Sequence, residues 1–141
     1  MDRRELLGLL GTAAITAGAL PAMGQHDHSG HGGGAHKSLA DAASACSTAA
    51  DACVSHCVDM LAGGDKTLQY CAATSREVAT VCAGLQSLAA QNSPHVASYA
   101  KVAGDICKAC EAECRKHSQH PPCKACGDSC AACAAECEKV A

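Results

Sequence analysis

Small and apolar residues recur at helical spacing in four segments of the chain, which span about residues 38–63, 65–91, 93–117 and 121–141. Residues typical of helix ends separate the segments: Ser38 before the first, then Gly63-Gly64 and Asp65, then Ser93-Pro94, then Pro121-Pro122. Ser and Asp favour the start of a helix, Pro its first turn, and Gly its end. Alanine is frequent, and no segment alternates in the manner of a strand. Because the links are short, the pattern predicts an all-α fold, an antiparallel up-and-down four-helix bundle over residues 38–141.

The thirteen cysteines lie within these segments, and in each segment they share one helical face. Residues spaced by three, four, seven or eleven positions point to the same side of a helix that turns by about 100° per residue. Segment by segment, the cysteines are Cys46, Cys53 and Cys57; Cys71 and Cys82; Cys107, Cys110 and Cys114; Cys123, Cys126, Cys130, Cys133 and Cys137. Four-helix bundles place their core residues on such faces. We therefore expect the four cysteine stripes to line the interior.

The composition supports this expectation. The chain contains no Phe, no Trp and two Tyr, so few large side chains remain for an ordinary core, and cysteine must supply much of it.

The net charge is −3 at pH 7 and basic runs are lacking, so nucleic acid is not an expected partner. The sequence shows no phosphate-binding loop and no Ser/His/Asp pattern, and we expect no enzymatic activity.

The start of the chain has the features of an export signal. An arginine pair precedes an apolar run over residues 6–20, and Ala22-Met23-Gly24 offers small residues for cleavage. These features resemble a twin-arginine leader, so residues 1–24 predict export from a bacterial cytoplasm to a periplasmic or membrane-associated compartment. We expect no stable membrane insertion after processing. Residues 25–37, rich in Gly and His, predict a flexible tail.

Cysteine stripes on helices suit metal binding better than disulfide bonds. Cysteines four apart on a helix have Cβ atoms about 5–6 Å apart, whereas a disulfide needs about 3.5–4.5 Å. Structural zinc usually takes two separated cysteine pairs, and the ferredoxin motif is absent from the sequence. Cu(I) is a soft ion selected by thiolate and thioether ligands, and neighbouring sites can share a sulfur. The sequence therefore predicts storage of multiple Cu(I) ions per chain.

Two further side chains are candidate ligands. Met60 extends the cysteine stripe of the first helix, where it is either a Cu(I) ligand or core filler. His117 follows Cys114 by three residues near a helix end, where it either binds metal or interacts with the helix dipole. His120 is interpreted as a loop residue. The alternative functions are a metallothionein-like zinc buffer and an iron-sulfur redox protein.

The region from Ser38 to Ala141 resembles the bacterial copper storage proteins, four-helix bundles with cysteine-filled cores. The resemblance rests on the C-x₃-C spacings, the dense series from Cys123 to Cys137 and the near absence of aromatic residues. It implies a homotetramer that supplies copper to enzymes such as the particulate methane monooxygenase and protects against free copper. In this family, Met and His side chains at one open end assist the uptake of ions. Here Met60 and His56, which precedes Cys57, are suitably placed.

Overall fold

A computed structural model describes residues 34–141, which form four α-helices and one 3₁₀ turn. The helices are α1 (Lys37–Ala62), α2 (Gln69–Ala90), α3 (Val96–Arg115) and α4 (Pro121–Glu138), and the 3₁₀ turn spans Lys66–Leu68. Within this described part there is no strand, and the predicted all-α fold is confirmed. Nor is any helix there both long enough and apolar enough to cross a bilayer. The predicted export signal, residues 1–24, and most of the predicted tail, residues 25–37, lie outside the described residues.

The first link between helices follows the predicted cap residues. Gly64 has a φ of 94°, a left-handed conformation that glycine adopts readily, and it stands just beyond the end of α1. The Asp65 side chain accepts a hydrogen bond from the backbone N–H of Thr67 at 2.9 Å, and so caps the 3₁₀ turn that leads into α2. The sequence pattern had merged this turn with the helix that follows it.

The starts of the other helices agree with the prediction less uniformly. α4 begins at Pro121, as predicted, where the missing N–H of proline leaves no helical hydrogen bond unmade. α3 begins at Val96, two residues after Pro94, and Ser93 accepts a hydrogen bond from the backbone N–H of His95 at 3.3 Å. The predicted cap at Ser38 was wrong, because a turn over residues 34–37 starts α1 at Lys37 and leaves Ser38 inside its first turn.

The four helices pack in the order in which they follow one another, and α4 returns to α1. Two sulfur contacts show that α1 and α4 run antiparallel: Cys46 to Cys130 and Cys53 to Cys123, each 3.7 Å between Sγ atoms. A step of seven residues forward along α1 is matched by a step of seven residues backward along α4. The arrangement is the up-and-down bundle that short links predict.

Two glycines bring α3 and α4 close together. A Cβ atom placed on Gly104 would lie 3.2 Å from the Cβ of Cys137, and one placed on Gly127 would lie 3.3 Å from the Cβ of Cys114. Side chains at these positions would force the two helices apart. The glycines therefore let the cysteine-bearing faces of α3 and α4 meet.

Three buried aliphatic side chains lie towards one end of the bundle. Leu39 lies in the first turn of α1, Leu85 near the end of α2 and Val96 at the start of α3, and each is at most 2% exposed. Antiparallel packing places all three at the same end, which we call the aliphatic end. The opposite end, where His56 and His120 lie, is called the histidine end.

Candidate metal centre

The thirteen cysteines are all buried inside the bundle. Their side chains are between 0% and 1% exposed, and each is a free thiol. The stripes predicted from spacing therefore face inward on α1, α2, α3 and α4 alike. Sulfur atoms fill the volume that leucine side chains occupy in an ordinary four-helix bundle.

Twelve of these sulfurs fall into four groups, and within each group the Sγ atoms lie within 4.8 Å of one another. From the histidine end to the aliphatic end the groups are Cys53, Cys57, Cys71 and Cys123; Cys53, Cys114 and Cys126; Cys110, Cys126 and Cys130; Cys46, Cys82, Cys107 and Cys133. Successive groups share Cys53 and Cys126, and the contact between Cys46 and Cys130 joins the last two. We call this continuous arrangement the sulfur column.

The spacing of the sulfurs decides which chemistry the column allows. Neighbouring sulfurs in contact lie 3.6 Å apart at Cys82 and Cys107 and 4.0 Å apart at Cys110 and Cys126, and within each group no pair is further apart than 4.8 Å. A disulfide bond requires about 2.05 Å. With a metal–sulfur bond of about 2.3 Å, three sulfurs around one ion lie about 4.0 Å apart and two in line lie about 4.6 Å apart. The column therefore suits three-coordinate metal as it stands, and two-coordinate metal after shifts of less than about 1 Å.

Burial and mutual contact determine how firmly the thiols hold their protons. Burial, and after it the negative charge that Cys53 would carry, raises the pKa of Cys57 and of Cys123 far above the ordinary thiol value. The hydrogen bond to Cys107 raises the pKa of Cys82, and hydrogen bonds, first with Cys130, lower the pKa of Cys107 to about 5. Thiolates packed this closely repel one another, so complete deprotonation of the column requires bound cations.

Two imidazole rings meet at the histidine end. His56 Nε2 lies 3.0 Å from His120 Nδ1, and the ring centroids are 4.9 Å apart. His56 precedes Cys57, and His120 precedes Cys123 by about one helical turn. Met60, on the same stripe as Cys57, is partly buried against the core. His120 lies in the link before α4, as predicted, and its contact with His56 was not predicted.

His117 lies in a different environment. Its Nε2 atom is 3.2 Å from Oε1 of Glu113, and Lys116 donates a hydrogen bond to the other oxygen of the same carboxylate at 2.6 Å. Burial alone would raise the pKa of Glu113, but the hydrogen bonds from Lys116 and His117 outweigh it and hold that pKa below its usual value. Among the described residues, the hydrogen bond of the His117 ring is thus made to a carboxylate and not to a thiol.

Comparison with known proteins agrees with this geometry. The family model for copper storage proteins matches residues 34–141. Among solved structures, apo copper storage protein 3 from Bacillus subtilis is 30% identical to this chain, with a TM-score of 0.65 over 74% of this chain and 96% of that one. The Cu(I)-bound copper storage protein BsCsp3 is also 30% identical, with a TM-score of 0.65 over 73% of this chain and 94% of that one. No curated protein matches the sequence. Because the family model covers most of its length, the chain belongs to the copper storage protein family.

Proposed function

We propose that the sulfur column binds and stores multiple Cu(I) ions per chain. The observation that carries the proposal is the sharing of Cys53 and Cys126 between neighbouring groups, because shared ligands join separate sites into one continuous store. Thiolate is the ligand type that selects Cu(I). Membership of the copper storage protein family, and a similar solved structure described as Cu(I)-bound, support the same choice of metal.

The charge of the column also favours a monovalent ion. Each Cu(I) that binds can replace one thiol proton, so a column holding about as many ions as sulfurs remains nearly neutral. A divalent ion that replaced each proton would leave a large positive charge in a buried interior. Dense filling with Cu(I) therefore avoids the cost of burying uncompensated charge.

Zinc is the main competing metal, and a specific feature favours it. Two of the groups contain four sulfurs each, and tetrahedral zinc with bonds of about 2.3 Å needs sulfurs about 3.8 Å apart. The two groups in the middle of the column contain three sulfurs each. Zinc would thus fit the ends of the column and leave its middle incompletely coordinated. A metallothionein-like zinc buffer is the second candidate function, and an iron-sulfur protein is the third.

Titration of the reduced protein with Cu(I) under anaerobic conditions tests the proposal. We expect more than about six tightly bound ions per chain, the number reached if each ion takes two unshared sulfurs. A parallel titration with zinc should saturate at about two or three ions, since each takes four sulfurs. Saturation by Cu(I) at three ions or fewer would contradict storage in a continuous column. A brown colour after loading with iron and sulfide would favour the iron-sulfur alternative.

We also propose that Cu(I) reaches the column through the histidine end, aided by His56, His120 and Met60. Imidazole and thioether groups can bind Cu(I) weakly, and here His56 adjoins Cys57 in the sequence while His120 precedes Cys123 by three residues. Replacing both histidines by alanine should slow uptake and leave the final number of ions unchanged. His95→Ala is the matched control, because His95 is exposed and lies at the aliphatic end. His117, which binds Glu113, is left out of the proposed ligands.

Export, assembly and delivery are further proposals. We propose that residues 1–24 direct export through the arginine pair Arg3-Arg4, that the protein acts as a homotetramer, and that it supplies copper to enzymes such as the particulate methane monooxygenase. Replacing both arginines by lysine should retain the protein in the cytoplasm. The mass of the exported protein in solution tests the tetramer, and normal copper content of the client enzyme in a deletion strain would contradict delivery.

A further inference from the structure

Ser75 is a buried hydroxyl among the sulfurs. It lies on α2, is 0% exposed, and donates a hydrogen bond to the sulfur of Cys53 at 3.4 Å. Its Oγ atom also lies 3.7 Å from Cys110, 3.8 Å from Cys114 and 3.7 Å from Cys126. One serine thus contacts sulfurs from the three other helices of the bundle.

The other buried polar side chains of the described residues have different partners. Thr74 donates its hydroxyl to backbone carbonyl oxygens of its own helix, Tyr70 and Cys71, each at 3.2 Å. Glu113 is bonded to Lys116 and His117. Within the described part of the chain, Ser75 is therefore the buried polar group that faces the sulfur column.

The side chains at the height of Ser75 along the column, which we call a level, are arranged like the four-sulfur group nearest the aliphatic end. A hydroxyl stands in place of one of the four sulfurs. In the four-sulfur group each helix contributes one sulfur: Cys46 from α1, Cys82 from α2, Cys107 from α3 and Cys133 from α4. At the level of Ser75, α1 contributes Cys53, α3 contributes Cys114 and α4 contributes Cys126. Helix α2 contributes the hydroxyl of Ser75, which touches all three of these sulfurs. Serine differs from cysteine by one atom, so the position has the size of a thiol without its sulfur.

We propose that Ser75 is a positioning residue that lowers the number of metal ligands at the middle of the column and keeps the Cu(I) ions there exchangeable. Hydroxyl oxygen is a hard ligand that Cu(I) does not select, so Ser75 supplies no ligand to an ion held at this level. The sulfur that α2 does offer is that of Cys71, one turn away, which lies 3.7 Å from the sulfurs of Cys53 and Cys114. The hydroxyl hydrogen bond also withdraws electron density from the sulfur that accepts it, which weakens that sulfur as a ligand. This inference rests on the proposed storage of Cu(I).

Variants at Ser75 test the inference by the number of bound ions and by the rate of their removal. Ser75→Cys completes the four-sulfur level, so we expect about one more tightly bound Cu(I) per chain than in the natural sequence. Ser75→Ala should bind the natural number. Bathocuproine disulfonate, a Cu(I) chelator, should remove Cu(I) from the middle of the column of Ser75→Ala about two- to tenfold more slowly, the factor that one lost hydrogen bond implies. Removal from Ser75→Cys should be slowed at least as much.

Ser47→Cys is the matched control. Ser47 is a half-buried serine of α1 whose hydroxyl donates to the backbone carbonyl of Ala79 at 3.0 Å, so its replacement adds a thiol that does not face the column. We expect the natural number of ions for this variant. Circular dichroism and urea unfolding of the reduced metal-free proteins establish that each variant folds.

Two results would overturn the inference. One is a Ser75→Cys protein that folds and binds no more Cu(I) than the Ser47→Cys control. The other is an unchanged rate of Cu(I) removal from Ser75→Ala, because a serine that only fills space would give this result. This second test does not depend on the cysteine variant. Failure of the proposed function is distinguishable, because the natural sequence itself would then bind few ions.

Discussion

Removal of the Cys82 sulfur separates the observed role of this cysteine, as a core residue, from its proposed role as a Cu(I) ligand. Cys82 is fully buried, and its sulfur lies 3.6 Å from that of Cys107 and 3.8 Å from that of Cys133. In Cys82→Ala, lost apolar burial contributes about 0.8 kcal/mol and the void left by the sulfur brings the total destabilisation to about 1–2 kcal/mol. Urea unfolding of the reduced metal-free protein measures this free energy.

The effect on copper follows from the sharing of sulfurs. Where each ion takes two sulfurs and each sulfur serves two ions, the numbers of ions and sulfurs are about equal, so one lost sulfur removes about one Cu(I). Cys82→Ser should lose the same number of ions, because its oxygen is a poor ligand for Cu(I). It should cost less stability than Cys82→Ala, because the hydroxyl keeps the volume and can donate to neighbouring sulfurs, as Ser75 does.

Anaerobic Cu(I) titration of both variants gives the decisive comparison. An unchanged number of ions in both proteins would refute the assignment of Cys82 as a ligand. A loss of four or more ions would refute the shared column in a different way, because it would show that the ions bind as one closed cluster that fails as a unit.

Two further predictions concern the stability of the metal-free protein. Hydrogen bonds hold the pKa of Glu113 below its unfolded value, so its contribution to stability is present above pH about 4.5 and is lost as the pH falls through the folded pKa. Glu113→Gln should therefore destabilise the metal-free protein at pH 7 and much less at pH 3 in urea unfolding, and an equal difference at both pH values would contradict this cause. Gly104→Val should separate α3 from α4 at Cys137 and cost about 1–3 kcal/mol. The control Ala109→Val, on the exposed face of α3, should cost less than about 1 kcal/mol through the lower helix propensity of valine, and equal losses in the two variants would contradict the close approach at Cys137 as the cause.

The positions of the helices could be predicted from residues whose effect is local. Gly64, Asp65 and Pro121 act through their own backbone conformation or through a hydrogen bond to a near neighbour, and the structure places each at a helix end. Ser38 could not be judged in the same way. Its exclusion from the cap depends on the turn over residues 34–37, in which the carbonyl of Gly34 accepts a hydrogen bond from Lys37.

The inward direction of the cysteines could also be predicted, because helical spacing alone places each stripe on one face. How the stripes meet could not. Contacts such as Cys46 with Cys130, or Cys71 with Cys114, depend on the register between helices, which the close approach at Gly104 and Gly127 helps to set. These contacts decide which sulfurs are shared between groups.

The surroundings of Ser75 and His120 could not be predicted from the sequence. Ser75 follows Cys71 by four residues and so lies on the cysteine face of α2, but serine is common on helices and the spacing alone carries little information. His120 stands outside α4 in the sequence pattern, and its partner His56 is 64 residues away along the chain. Both were brought to the site by packing between helices.

If Cu(I) enters and leaves the sulfur column at the histidine end, as proposed above, the buried Leu39, Leu85 and Val96 lie at the far end of its path. Ions that arrive first would then lie deepest, and ions that arrive later would lie nearest the exit. The store should therefore empty in the reverse of the order in which it was filled, so that a cell drawing on it would receive its most recently acquired copper first. Two copper isotopes supplied in succession, followed by partial removal and mass spectrometry, would reveal that order.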